Sequence, residues 1–411
     1  MPSDLLGRVN VVTRNALLLG AGLVFQSGMI QLAVALGTVT IVAVTGIESI
    51  LGLGPAVFLI AGAVAVGPAG RLSDRFGRMP VIRAGFVLGT AGPLTTAAGC
   101  ALDSGAVVFA GLALCGAAQS IVLLSRAAAA EMFHPERRAR GMSIVLFGVV
   151  FGAVWGPLVF GPMFSGRTMT PHDLVVPWLA AGIFTLAGLA ISFGVRPDPK
   201  VLSQVHVTEA EAAAPAAPAR ELLVRPGVPT AMLGAVASFA VMVGVMNLAG
   251  YVAVGHHHEH GDVFTIISAH IVGMYGLVLV VGDVVERIGR RRSLVVGLAV
   301  MALSNLALVW LTGVAGMSLS LFGLGLGWNI AYVAATTELV GLAAPSERGR
   351  LIGLSDLLSS GSGAALALGG GVLYSGAGST ALALLAAALA LVPALWIAAT
   401  PLVAAARPAE A

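Results

Sequence analysis

Charge is what this 411-residue sequence has least of: 10% of its residues are Asp, Glu, Lys or Arg, against about 25% in soluble domains. That deficit, with 58% hydrophobic residues, excludes a chain solvated throughout by water. Cysteine is nearly absent. Cys100 and Cys115 sit in apolar segments with neither metal nor redox spacing and read as small hydrophobes. No nucleophile–base pair, phosphate-binding loop or cofactor signature is present, so nothing points to an enzyme or a cofactor. The arginines are spread over short loops, which gives no footprint for nucleic acid. A cleavable signal pattern is also missing: "MPSDLLGRVNVVTRNALLLG" leads into a first span expected to be retained.

What is present is a series of apolar runs of about 20 residues, each long enough for a ~30 Å hydrocarbon core. Twelve are counted, centred near residues 27, 58, 90, 115, 151, 184, 240, 273, 303, 327, 363 and 390. The 54 glycines suit close helix packing in lipid. The basic residues alternate by loop. Arg8 and Arg14 precede span 1, Arg71 to Arg83 follow span 2, and Arg126 to Arg140 follow span 4. Arg196 to Arg225 follow span 6, Arg287 to Arg292 follow span 8, Arg348 and Arg350 follow span 10, and Arg407 ends the chain. Only Arg167 falls on the other side. The positive-inside rule then predicts both termini in the cytoplasm. The expected fold class is an all-α polytopic membrane protein with twelve transmembrane helices.

The longest polar stretch, residues 198–225, is rich in Ala, Pro and charge and reads as a cytoplasmic linker. It separates a six-helix half, residues 1–197, from a second, 226–411. "GRLSDRFGR" (Gly70 to Arg78) aligns without gaps on "GDVVERIGR" (Gly282 to Arg290), and "PERRARG" on "PSERGRL". Two duplicated halves joined by a cytoplasmic linker are the arrangement of alternating-access carriers. The repeated loop signature resembles that of the major facilitator superfamily, over the whole chain. The resemblance implies a conformational latch made of Asp74, Arg75, Arg78, Glu286, Arg287 and Arg290. "GAVWGPLVFGP" in span 5 resembles the Gly-Pro element of drug antiporters, but Phe160 stands where a glycine is expected; it reads as packing and kinking around Pro157.

Span 7 places Met242 and Met246 four apart, and span 8 places His270 and Met274 four apart. Residues at i and i+4 share a helix face. Measured from residue 258 in the connecting loop, Met246 and His270 are each 12 residues away, Met242 and Met274 each 16. An antiparallel pair would bring them to matching depth near mid-membrane. Thioethers favour Cu(I), and imidazole also suits copper. A hydrogen-bonding or proton-relay role for His270, and packing for the methionines, are the plain alternatives. Above this point lies "GHHHEHGD": His256, His257, His258 and His260, which could collect metal ions from outside or form a solvated turn. Gln26, Met29 and Gln31 on span 1 are further ligand candidates by position; Trp328, Asn329 and Tyr332 on span 10 line a cavity or pack.

The paired Met-x-x-x-Met and His-x-x-x-Met resemble those of CcoA-type copper importers, a subgroup of the same superfamily. That resemblance implies a metal site at Met242, Met246, His270 and Met274 and copper uptake across a bacterial plasma membrane. It also implies delivery to copper-enzyme assembly, with a cytoplasmic copper acceptor as a partner. Besides copper, the expected partners are lipid only, and a monomer is the default. Two rivals stay open. One is a proton-coupled drug or metabolite exporter, which needs a carboxylate inside the bundle; Asp283, Glu338 and Asp356 are expected near cytoplasmic ends instead. The other is a copper sensor or holding protein that does not transport.

Overall fold

The structure, a computed structural model, describes residues 3–50, 52–133, 138–164, 170–203, 217–343 and 345–400. Helices dominate because a chain crossing lipid must satisfy its backbone N–H and C=O groups internally. The first half contains α1 (Ser3–Thr45), α2 (Leu53–Phe76), α3 (Arg78–Ala101) and α4 (Gly105–Leu123, continued by Ser125–Met132). It is completed by α5, which begins as Arg138–Val150, and α6 (Val175–Ser192). The second half contains α7 (Val228–Gly255), α8 (His260–Ile271, extended by Val278–Ile288), α9 (Arg290–Ala307) and α10 (Val314–Leu342). The run Pro345–Ala399 breaks at Gly378, with φ +79°, which divides it into α11 and α12.

Among the described residues eight helices are long and apolar enough to cross a membrane, or nine counting α8 with its 55° bend. The rest follow from local chemistry. The Gly378 break makes two spans of one run, α3 is diluted by threonines and a proline, and α9 opens on three arginines. The sequence expectation of twelve spans therefore holds.

The duplicated loop has a backbone reason. Gly77 and Gly289, at the same place in the two copies, adopt φ of +101° and +91°. A side chain is disfavoured there, so the tight reversals from α2 to α3 and from α8 to α9 keep glycine. In the first half the α3 terminus is then capped from the start of the expected linker. Asp198 accepts hydrogen bonds from the backbone N–H groups of Arg78 (3.0 Å) and Met79 (2.8 Å), satisfying donors that the helix start leaves open.

Two helices are interrupted by wider π turns. In α5 the turn covers Gly156–Phe160, so the irregularity expected around Pro157 is present. In α8 it covers Val272–Gly276, directly after His270. Such turns recur at functional sites.

Core packing differs at the two ends of the bundle. At the end carrying the histidine loop, one buried cluster joins both halves: Met29, Leu36 and Trp178 pack with Ala249, Phe264 and Leu321. Phe160 stacks on Phe264 at 5.8 Å, and the Gln31 amide donates to the Phe264 carbonyl (3.4 Å) and the Ser268 hydroxyl (3.3 Å). At the arginine-rich end the described cores are separate. One is built from α1, α3, α4 and α5 around Phe86 and Met132; the other from α7 to α12 around Met301 and Leu339. One buried core thus joins the halves at one end, while toward the other each half has its own.

Candidate functional site

Of the residues expected to hold metal, Met242 and Met274 are buried in the same cluster of the second half. Met246, partly buried, borders both that cluster and the one joining the halves. His270 is fully buried, but its ring is directed at α10: Nδ1 lies 2.8 Å from the Leu321 carbonyl oxygen, and Nε2 has no protein partner among the described residues. Helix α8 reaches α10 through two glycines. A Cβ on Gly273 would overlap the Phe322 carbonyl oxygen, and one on Gly325 would lie 2.9 Å from the Met274 nitrogen. Small residues allow this approach, and it turns the His270–Met274 stripe toward α10. Among the described residues no three His, Cys, Asp or Glu side chains are grouped to hold a metal ion.

The histidine loop diverges. His256 Nε2 meets the Ser379 hydroxyl at 3.3 Å, while His258 Nε2 meets the Thr312 carbonyl at 2.6 Å. His257 is exposed, with φ +64°. The side chain of His260 lies outside the described residues. Partial burial, together with His258 and His257, lowers the His256 pKa below its usual 6.5.

The repeated arginines find acids one helix away. Arg78 makes a two-pronged pair with Glu131 at the end of α4 (Nε–Oε2 2.9 Å, Nη2–Oε1 2.8 Å). Arg290 reaches Glu338 near the end of α10 at 3.5 Å. Arginine at the third helix and glutamate on the fourth is thus a pairing common to both halves. Arg75 lies over the Phe76 ring at 5.1 Å; Glu286 and Arg287 are exposed. The side chain of Asp74 lies outside the described residues. Glu338 was legible only as an acid near a helix end.

A second constellation was missed as a site. Arg126 of α4, from the first half, faces Asp356 of α11 at 3.8 Å. The Tyr332 hydroxyl donates to Asp356 Oδ1 at 3.2 Å and lies beside the Arg126 guanidinium. Trp328 stacks on Tyr332 (5.0 Å, 18°), Tyr275 meets Trp328 edge-on (6.0 Å), and Phe239 flanks Tyr332 (6.4 Å). The indole nitrogen of Trp328 is buried without a partner among the described residues. Asp356 was expected near a helix end; it stands eleven residues into a helix that begins at Pro345, about 16 Å along its axis at 1.5 Å per residue. Tyr332 is ten residues from Leu342, about 15 Å. Arg126 of the first half therefore meets Asp356 and the aromatic rings of the second inside the bundle, on the side where the two cores are separate.

Twelve membrane-crossing helices in two like halves, with polar groups meeting between them, define the class: a membrane carrier. The Major Facilitator Superfamily model matches residues 16–368, and the chain belongs to that family as a multi-pass secondary transporter. It is 29% identical over 378 residues to the uncharacterized MFS-type transporter YdeG of Bacillus subtilis strain 168, covering 90% of this chain and 87% of the relative. It is 26% identical over 316 residues to the riboflavin transporter RfnT of Brucella anthropi, covering 76% of each. Among solved structures, the xylose transporter XylE of E. coli in a partially occluded inward-open conformation superposes with a TM-score of 0.72 at 15% identity, over 96% of this chain and 98% of that one.

Proposed function

We propose that this transporter carries a small organic solute by alternating access between halves 1–197 and 226–411, joined by the segment 198–225. The observation that carries the reading is the meeting of Arg126 from one half with Asp356, Tyr332 and Trp328 from the other. Ionisable residues this deep are costly and mark substrate or ion pathways, and carriers of this kind bind near the midplane between repeats. The arginine-rich end is cytoplasmic by the positive-inside rule, in a bacterial plasma membrane. The separate cores at that end then correspond to an inward-facing state. The similarity to a riboflavin transporter supports a solute with a flat ring. The test is counterflow in proteoliposomes with a panel of radiolabelled aromatic solutes that includes riboflavin. Accumulation above protein-free liposomes that falls at least tenfold in Trp328→Ala is expected. No accumulation of any panel member would overturn the organic-solute reading.

One observation favours copper as the cargo instead. His270 anchors one ring nitrogen on a backbone carbonyl and leaves the other unpartnered, the orientation typical of ligating histidines. Met242, Met246 and Met274 would be its companions, and His256, His257, His258 and His260 the outer collectors. Radioactive copper uptake into cells, compared with vector and with His270→Ala at equal membrane abundance, decides this. Uptake no higher than vector rules the copper reading out.

A further inference from the structure

We infer that the central site selects an organic anion with a flat unsaturated ring, which takes Arg126 away from Asp356; this rests on the organic-solute reading above. The argument begins with a contrast inside the molecule. Arg78 and Arg225 grip their glutamates by two short bonds each, at 2.8–2.9 Å and 2.8–3.1 Å. Arg126 instead holds Asp356 by one contact at 3.8 Å, with the two side chains 29% and 39% exposed. A guanidinium offers five donors in a fork that matches a carboxylate or phosphate. At Arg126 most of that capacity is unused.

The sign of the ligand follows from what each partner would retain. Once an incoming anion occupies Arg126, Asp356 still accepts the Tyr332 hydroxyl at 3.2 Å and keeps its partial exposure. An incoming cation would occupy Asp356 and leave Arg126 with only the Tyr332 oxygen. The guanidinium is the less exposed of the two, and left with unmet donors it is the costlier remainder. The pair therefore yields its arginine more readily than its carboxylate. The ring preference comes from the wall beside it. Trp328, Tyr332, Tyr275 and Phe239 form a continuous aromatic cluster, of which Tyr332, Tyr275 and Phe239 are partly exposed. Flat rings gain stacking there beyond their buried area.

The experiment measures equilibrium binding to the detergent-solubilised full-length protein by isothermal titration. The probes are riboflavin 5′-phosphate and 2-naphthoate as flat anions, and riboflavin as the neutral counterpart of the first. The phosphate ester should bind at least tenfold more tightly than riboflavin. Removing both charges together (Arg126→Gln with Asp356→Asn) leaves no orphaned ion, and should bring the two affinities within twofold of each other. Equal affinities in the parent protein would overturn the inference while leaving an organic-solute carrier standing. A preference surviving in the double variant would overturn it too, by placing the anion elsewhere. If neither anion binds, the inference falls, and the counterflow panel separately decides the reading beneath it.

Discussion

Closure of the histidine-loop end depends on a crossing of α1 and α7 that leaves no room for a side chain. A Cβ at Gly250 would overlap the Ala35 carbonyl oxygen and lie 3.0 Å from the carbonyl carbon. Ordinary carbon–carbon contact is ~3.5 Å, and the obstacle is backbone, which cannot rotate aside. In Gly250→Ala the two helices must part by roughly 0.5–1 Å where both halves share one core. Overpacking of this kind costs about 1–3 kcal/mol, and the cost falls only on the state closed at this end. Each 1.4 kcal/mol is tenfold in population, so the state open there gains about 5- to 150-fold. A cysteine at Ser268, buried beside Gln31, reports the opening through its reaction with a membrane-impermeant maleimide. The native Cys100 and Cys115 are buried and give little background. Labelling should accelerate at least fivefold in Gly250→Ala. It should stay unchanged in Gly37→Ala, where an added Cβ meets nothing within 4 Å. Equal rates in Gly250→Ala and its parent would refute the view that this crossing is the closure.

Other perturbations test neighbouring parts. Asp198→Ala removes the acceptor for two backbone donors at the start of α3 and should cost about 1 kcal/mol, read as a lower thermal midpoint in detergent; an unchanged midpoint contradicts the capping role. Gly273→Ala drives a methyl into the Phe322 carbonyl of α10 and should destabilise by about 1–3 kcal/mol, whereas Gly282→Ala, in open space, should not. The His256 pKa is lowered by burial, so the fold favours its neutral form. Its contribution is present above pH ~6.5 and is lost as pH falls through the lower folded value. His256→Gln should therefore flatten the acid side of the stability profile; a parallel loss of stability in both proteins would count against this.

Span count and duplication were readable in the sequence because each follows from one-dimensional information, and the positive φ at Gly77 and Gly289 supplies the reason glycine recurs in both copies. Lipid demands long apolar runs, and a positive φ demands glycine at a fixed register. The site was less legible, for two separate reasons. Counting from residue 258 gave depth and i+4 spacing gave a shared face, but neither tells which neighbour that face meets. Gly273 and Gly325 decide that by letting α8 close on α10, so His270 binds Leu321. Asp356 was misplaced because "SDLLSSGSG" (Ser355 to Gly363) is polar, which shifts the apparent apolar centre of α11 toward its far end. Those polar residues lie within the helix: Ser355 and Ser359 are buried, and Asp356 meets Arg126.

The distribution of ion pairs then gives a physical account of how the halves can rock. Arg78–Glu131 lies within the first half and Arg290–Glu338 within the second, while Arg225–Glu347 ties the end of the segment 198–225 to the second. Each survives a rigid rotation of its half and stiffens that half as a unit. Arg126–Asp356 is the described pair that spans the two, and it is also the loosest. The polar tie from Gln31 to α8 spans them at the opposite end. A rotation that opens the histidine-loop end must break the Gln31 contacts and the Phe160–Phe264 stack, and must bring the separate cores at the arginine-rich end together. Interhalf contact is thus exchanged from one end to the other, which keeps the free-energy difference between states small. Only a ligand with different affinity for the two states can bias such an exchange. A bound solute bridging Arg126 to the aromatic wall of the second half would do so, because its contacts exist only while the two halves hold their facing groups together.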